Sequence, residues 1–245
     1  MKQGLYLISS NTRIAHQTWQ MRLKGDTSRF FAPGQFVDIA VDGFFLRRPF
    51  AARDWDSEGF DIIYKTVGEG TAALSRMKSG QSLDILTGLG NGFDTLRCKG
   101  EALLVGGGLG ASPLFPLAKK LVREGKKVTV VLGFNTASEV ILQDEYTALG
   151  AALHIATMDG SLGAEGLVTD VIRALNPPCD AFYTCGPKVM MKAVSDLLEG
   201  PGQASLEERM GCGCGICYGC TCHTNGGPRR ICADGPVFDV EDIIW

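Results

Sequence analysis

Six of the nine cysteines crowd into the last 34 residues of this 245-residue chain: Cys212, Cys214, Cys217, Cys220, Cys222 and Cys232. An odd total packed into one short segment makes a poor disulfide framework and a good metal-binding pattern, because thiolates are soft metal ligands. Taking Cys212, Cys217, Cys220 and Cys232 gives C-x4-C-x2-C-x11-C, whose first three cysteines are spaced as in plant-type [2Fe–2S] ligation. Gly211, Gly213, Gly215 and Gly219 interleave them and supply the backbone freedom a loop needs to wrap a compact cluster. A structural zinc site competes, built on Cys214 and Cys217 with Cys220, Cys222 or Cys232, and with His223 as a further ligand. Cys214 and Cys222 are surplus under the iron–sulfur register.

A second set of residues suits phosphate. Gly106, Gly107, Gly108 and Gly110 follow an apolar run, Ala102–Val105, and lead into a helical pattern. Read as G-x-G-x-x-A, the anchors are Gly106, Gly108 and Ala111, a turn that brings a pyrophosphate close to backbone at the positive end of a helix. A purely structural glycine turn has the same letters, so its position after the first strand of an alternating strand–helix series carries the argument. Thr184-Cys185-Gly186-Pro187 is a second such turn at the end of a later strand. After the second strand of the series, Gly133–Glu139 (GFNTASE) contains no lysine or arginine to pair with a 2′-phosphate and does contain Glu139, so charge favours NADH over NADPH.

These groups need scaffolds of two kinds. Up to about residue 98 the sequence gives short alternating strands at Gly4–Ile8, Gln17–Leu23, Gln35–Val41, Phe60–Thr66 and Ser82–Leu86, with one helix at Thr71–Lys78. Many short strands at this spacing predict a small antiparallel β-barrel. Beyond it, strands at Ala102–Val105, Val128–Leu132, Leu153–Ala156 and Ala181–Thr184 alternate with helices at Leu114–Glu124, Glu139–Leu149, Gly166–Leu175 and Lys188–Leu198. That alternation predicts a doubly wound parallel α/β domain. Residues 200–204 (GPGQA) read as a linker, and the cysteine tail is too short to fold without a staple such as a metal site. The expected division is therefore 1–98, 99–204 and 205–245.

Composition narrows the function classes. With 24 basic and 27 acidic side chains the formal charge is −3, which excludes a strongly basic nucleic-acid binder. Glycine is 32 of 245, about 13% where 7% is usual, without the triplet period of collagen. No run of 18 apolar residues predicts a membrane span, no signal peptide is evident, and free thiolates fit a reducing cytoplasm.

Together with RRPFA (Arg47–Ala51), VGEGT (Val67–Thr71), LGNGF (Leu89–Phe93), CGP (Cys185–Pro187) and CADGPVF (Cys232–Phe238), these three regions resemble the electron-transfer subunits of bacterial dihydroorotate dehydrogenase B. These belong to the wider ferredoxin-reductase superfamily. The resemblance covers essentially the whole chain and implies FAD in the barrel. The family's R-P-x-S segment corresponds to Arg48, Pro49, Phe50 and Ala51, its next flavin-contacting strand to Ile63, Tyr64 and Lys65, and its phosphate-binding turn to Gly70 and Thr71. Ala51 departs from the family, since a serine there can hydrogen-bond flavin N5. The resemblance also implies electron flow from NADH through FAD and a [2Fe–2S] cluster to a separate FMN-containing catalytic subunit in pyrimidine biosynthesis. The implied assembly is a heterotetramer of two copies of each subunit, and no side chain is expected to act as an essential acid or base. Two other readings stand beside it. One is the electron-input subunit of a hydrogenase or ferredoxin:NAD(P) system; the other is a nucleotide-sensing zinc protein without turnover. The terminal Ile243, Ile244 and Trp245 fit either a partner surface or docking on their own core.

Overall fold

Period-two burial closes the first half of the chain, as seen in a computed structural model that describes residues 1–245. Strands β1 (Lys2–Ala15), β2 (Thr18–Lys24), β3 (Phe36–Ile39), β4 (Arg48–Trp55), β5 (Gly59–Lys65) and β6 (Ser82–Leu89) form a closed antiparallel barrel in the order β1-β2-β5-β4-β3-β6, with helix α1 (Glu69–Arg76) between β5 and β6. In β6 the residues Leu83, Ile85, Thr87 and Leu89 point inward while their neighbours do not. The barrel core gathers Tyr6, Met21, Val37, Phe60, Ile62 and Tyr64. Asn11 of β1 fixes the end of α1: its amide donates to the carbonyls of Leu74 and Met77 at the helix C-terminus, and its oxygen accepts the Tyr64 hydroxyl. The sequence shows no strand over β4, yet this strand carries Arg48–Ala51.

The second half is a seven-stranded sheet. It comprises β7 (Glu101–Gly107), α2 (Ala111–Arg123), β8 (Lys127–Phe134), α3 (Gln143–Ala148), β9 (Ala152–Thr157), β10 (Ala164–Glu165), α4 (Val168–Leu175), β11 (Ala181–Cys185), α5 (Lys188–Leu197) and β12 (Gly202–Ser205). Strand order is β10-β9-β8-β7-β11-β12, all parallel, followed by an antiparallel edge strand from the tail. Leu104, Val130 and Leu132 face α2 and α3, whereas Leu103, Val105 and Val131 face α4 and α5, so helices cover both sides. The order reverses between β7 and β11, which makes the crevice at their carboxyl ends the binding position of the fold.

Two elements differ from expectation. The helix read at Glu139–Leu149 is only α3, preceded by a short 3-10 turn at Ala137–Glu139. Leu142 adopts a left-handed φ of 63°, which turns Ile141 and Leu142 into the core and breaks the helix there. Residues 202–204 of the stretch read as a linker lie in β12, buried and paired with β11. Its lack of bulk is a packing requirement, because the Phe182 ring occupies the space a side chain on Gly202 would need.

The tail contributes hairpin β13 (Thr221–Thr224) and β14 (Gly227–Arg230), a short helix α6 (Ile231–Asp234), and β15 (Val237–Asp239), which pairs with β12 as the edge strand. Its small core is shared: Cys220, Ile231, Cys232 and Ile243 pack with Phe36 and Leu89 of the barrel, Met191 of α5 and Ala204 of β12. The terminal residues dock on this core, with Ile243 buried, Trp245 packed against it and Ile244 exposed. Barrel and sheet meet through α2 and β4, where Lys119 pairs with Asp54 at 2.6 Å and Arg53 lies 4.6 Å over the Phe115 ring. No helix is long and apolar enough to cross a membrane.

Candidate functional site

The cysteine loop aims backbone at sulfur. The N–H groups of Ile216 and Cys217 donate to Cys212 Sγ at 3.2 and 3.4 Å, and that of Gly219 donates to Cys217 Sγ at 3.4 Å. Gly215 N–H donates to Cys232 Sγ at 3.1 Å, and Cys232 N–H donates to Cys220 Sγ at 3.4 Å. These five bonds end on the four cysteines of the plant-type register and on neither surplus cysteine. Gly213 and Gly215, at φ of 63° and 86°, provide the left-handed turns that point the amides inward. No three His, Cys, Asp or Glu side chains converge on one ion position. Instead the thiols pair, Cys212 with Cys217 and Cys220 with Cys232, with Cys214 beside Cys212. Two such pairs suit the two irons of a [2Fe–2S] cluster, each iron taking two thiolates. Burial opposes ionisation of Cys212, yet the surrounding amides outweigh it and bring its thiol down to about 6. Burial and the neighbouring Cys220 push Cys232 up to about 12. Arg230 braces the loop by donating to Gly215 O at 2.8 Å and pairing with Asp234.

A cavity of about 330 Å³ lies between barrel and sheet. Arg48, Pro49, Phe50, Ala51, Ile63, Tyr64, Lys65 and Thr71 all line it, and Gly70 lies beneath Arg48, where a Cβ would come within 2.7 Å of Nε. Thr71 Oγ1 accepts the N–H groups of Val67 and Gly68 and donates to Gly68 O, which fixes the turn before α1. Burial raises the Tyr64 hydroxyl to about 12, so it stays protonated and donates to Asn11. Ala52 N–H is committed to Gln35 O at 3.0 Å, and Ala51 itself has no side-chain donor. Leu109, Ser112, Pro113 and Cys185 form the opposite wall. Ser112 Oγ is buried without a partner, an orphaned polar atom on a cavity wall that a polar ligand would satisfy. Cys185 is fully buried and its thiol is pushed well up by desolvation, so it lines the cavity as a neutral group.

Two further cavities flank the glycine turn. One, of about 410 Å³, is lined by Gly107, Gly108, Gly110, Gly186, Pro187 and Lys188, and on its far side by Cys222 and Ile231 of the tail. The other, of about 220 Å³, is lined by Gly107, Gly108, Asn135, Glu139, Met158 and Pro187. Gly108, at φ 54°, opens onto free space as a phosphate-approach position should. Gly106 and Ala111 reach neither cavity: a Cβ on Gly106 would sit 3.2 Å from Ala111 N, so this glycine serves strand–helix packing. Gly110 lines the larger cavity and also lets the Cys185 carbonyl approach. Glu139 is the one charged group lining the smaller cavity, paired with Lys65 at 2.7 Å and accepting from Asn135 Nδ2 at 2.9 Å.

Sequence reasoning missed Leu206, Glu207 and Glu208, which line both the 330 and 410 Å³ cavities and join them. Desolvation in this shared mouth holds the Glu207 carboxyl above its usual range. The available signal was β12: once residues 202–205 are a parallel strand, the next three fall at the sheet's carboxyl edge.

A six-stranded barrel with a cavity against a doubly wound sheet, and an amide-lined cysteine loop beside both, defines an electron-transfer protein of ferredoxin-reductase type. A model described as the iron–sulfur cluster binding domain of dihydroorotate dehydrogenase B matches residues 207–244, and one described as an oxidoreductase NAD-binding domain matches 104–196. The dihydroorotate dehydrogenase B (NAD(+)) electron transfer subunit of Bacillus pumilus is 41% identical, covering 99% of this chain and 98% of the relative. That of Fusobacterium nucleatum is also 41% identical, over 96% of both. A solved NADH-dependent reduced ferredoxin-NADP oxidoreductase, described in connection with flavin-based electron bifurcation, superposes at a TM-score of 0.89 with 32% identity, covering 99% of this chain and 90% of that one. Phthalate dioxygenase reductase shares the fold at a TM-score of 0.66 and 20% identity, covering 80% of this chain and 64% of that one. The chain belongs to the family of dihydroorotate dehydrogenase B electron transfer subunits.

Proposed function

We propose that this chain carries electrons from NADH through FAD and a [2Fe–2S] cluster to an FMN-containing catalytic subunit that oxidises dihydroorotate in pyrimidine biosynthesis. When bound, the flavin accepts an electron pair and the cluster carries electrons singly, chemistry that no side chain here supplies. The supporting observation is continuity: the coenzyme and flavin cavities share Leu206–Glu208, and the coenzyme cavity's far wall is the cluster hairpin.

In this reading Arg48, with Gly70 and Thr71 at the start of α1, holds the FAD pyrophosphate. Pro49, Phe50, Ala51, Ile63, Tyr64 and Lys65 bed its ring system. Gly107 and Gly108 take the NADH pyrophosphate, Gly106, Gly110 and Ala111 shape that turn, and Cys185–Pro187 bring the nicotinamide toward the flavin. Glu139, with no basic side chain lining its cavity, disfavours a 2′-phosphate. Cys212, Cys217, Cys220 and Cys232 ligate the cluster. Residues 1–98, 99–204 and 205–245 serve as the flavin, nucleotide and cluster domains. The working assembly is two copies of this chain with two of the catalytic subunit, in a reducing cytoplasm.

A cofactor inventory of the purified chain tests this. Flavin, iron and sulfide should be present and zinc absent, with NADH bleaching the flavin spectrum; a colourless, zinc-containing protein would sink the reading. The ferredoxin:NAD(P) alternative draws support from the 0.89 TM-score likeness. Co-purification separates the two, since an FMN-containing dihydroorotate-oxidising partner is expected here.

A further inference from the structure

The LGNGF segment lines none of the three cavities described above, yet its Asn91 is hydrogen-bonded to the tail through both side chain and backbone. After β6, the Asn91 side chain meets the segment that leads from Cys232 into β15. Its Oδ1 accepts the Val237 N–H at 3.0 Å, and its Nδ2 donates to Val237 O at 2.8 Å and to Asp234 O at 3.3 Å. Its own backbone N–H donates to Gly235 O at 2.7 Å. β15 pairs with β12 on one side only, so Asn91 satisfies both backbone groups of Val237 on the other side, as a neighbouring strand would. Gly90, at φ 71°, makes this approach possible: a Cβ there would come within 2.6 Å of Pro236 Cδ and 2.9 Å of Gly235 O.

The gripped segment has two working ends. Pro236 lines the flavin cavity. Four residues earlier, Cys232 accepts from Gly215 and donates its N–H to Cys220 Sγ. One short piece of chain is therefore both the wall of one site and a ligand strand of the other.

We infer that Asn91 is a positioning residue that holds Cys232 and the Pro236 wall as one rigid unit, and so fixes the cluster against the flavin site. The inference rests on the functional reading above. Its test is Asn91→Ala in the full chain with its cofactors, beside Asn225→Ala. Asn225 Nδ2 donates to Glu241 O at 2.8 Å, so its loss loosens the tail away from Cys232. Asn91→Ala should keep full flavin content and a rate of flavin bleaching by NADH within twofold of wild type. Its iron should leave to an external chelator at least about fivefold faster, and the EPR spectrum of the dithionite-reduced cluster should change in g-values or line width. Asn225→Ala should change neither. If Asn91→Ala does not fold, Asn91→Ser, which keeps a polar group at the latch, takes its place with the same expectation in weaker form. An unchanged spectrum and chelator rate in the Asn91 variant would overturn the inference, as would the same changes in Asn225→Ala. A wild-type chain devoid of iron and sulfide would overturn the functional reading along with it.

Discussion

In the proposed function the glycine turn after β7 and the cysteine loop both present backbone amides to an anionic group, but they organise those amides differently. At the turn, the start of α2 and the sheet behind it orient the N–H groups, so secondary structure carries most of the burden. In the loop no helix or strand spans Gly211–Gly219, and the amides are oriented residue by residue through left-handed glycines and sulfur acceptors. The first arrangement depends on packing behind it. The second depends on the ligands themselves, so it should be the more brittle of the two.

Replacing one of the proposed cluster cysteines should expose that difference most strongly. Cys217→Ser or Cys232→Ser is expected to reduce iron and sulfide to near zero while flavin stays bound, and Cys214→Ala and Cys222→Ala should retain both. Metal and flavin analysis of the four variants checks it; iron retained in Cys232→Ser would break the ligand assignment. The matched change at the turn is Gly110→Ala, whose Cβ would overlap the Cys185 carbonyl. Overpacking of this kind costs about 1–3 kcal/mol, to be read as a lower urea midpoint with cluster content unchanged.

A subtler probe is the mouth between the cavities. Desolvation raises the Glu207 pKa in the folded chain, so the native state binds more protons than the unfolded state across that interval. Stability from this group is therefore full below the ordinary carboxylate pKa and is lost as pH rises through the folded value. Glu207 is exposed by surface area although it lines the cavity mouth, so the effect should be small. Glu207→Gln should gain slightly in melting temperature relative to wild type on going from acid to neutral pH, and parallel melting curves would argue against a raised Glu207 pKa. Ala51→Ser should have the smallest effect. Flavin binding should survive, while the added hydroxyl shifts the NADH reduction rate or the flavin potential; stopped-flow reduction and potentiometry returning wild-type values for both would refute it.

Features set by local spacing were legible in the sequence. The four cysteines that accept amides are those of the C-x4-C-x2-C-x11-C register, and β7, β8, β9 and β11 lie on the apolar runs that announce them. What escaped depends on distant partners. β4 shows no clean alternation because Arg53 and Asp54 reach across to Glu145 and Lys119 of the other half. β12 shows little hydrophobicity because Phe182 fills the space over Gly202. Glu207 and Glu208 went unnoticed because their position follows from that strand.

The shared core of the tail has a consequence for engineering. Cys220, Cys232 and Ile243 pack on Phe36, Leu89, Met191 and Ala204, residues contributed by both other regions. A graft of residues 205–245 onto another reductase would leave those faces without their counterparts. The transplantable unit is the cysteine tail together with the barrel and sheet surfaces that complete it.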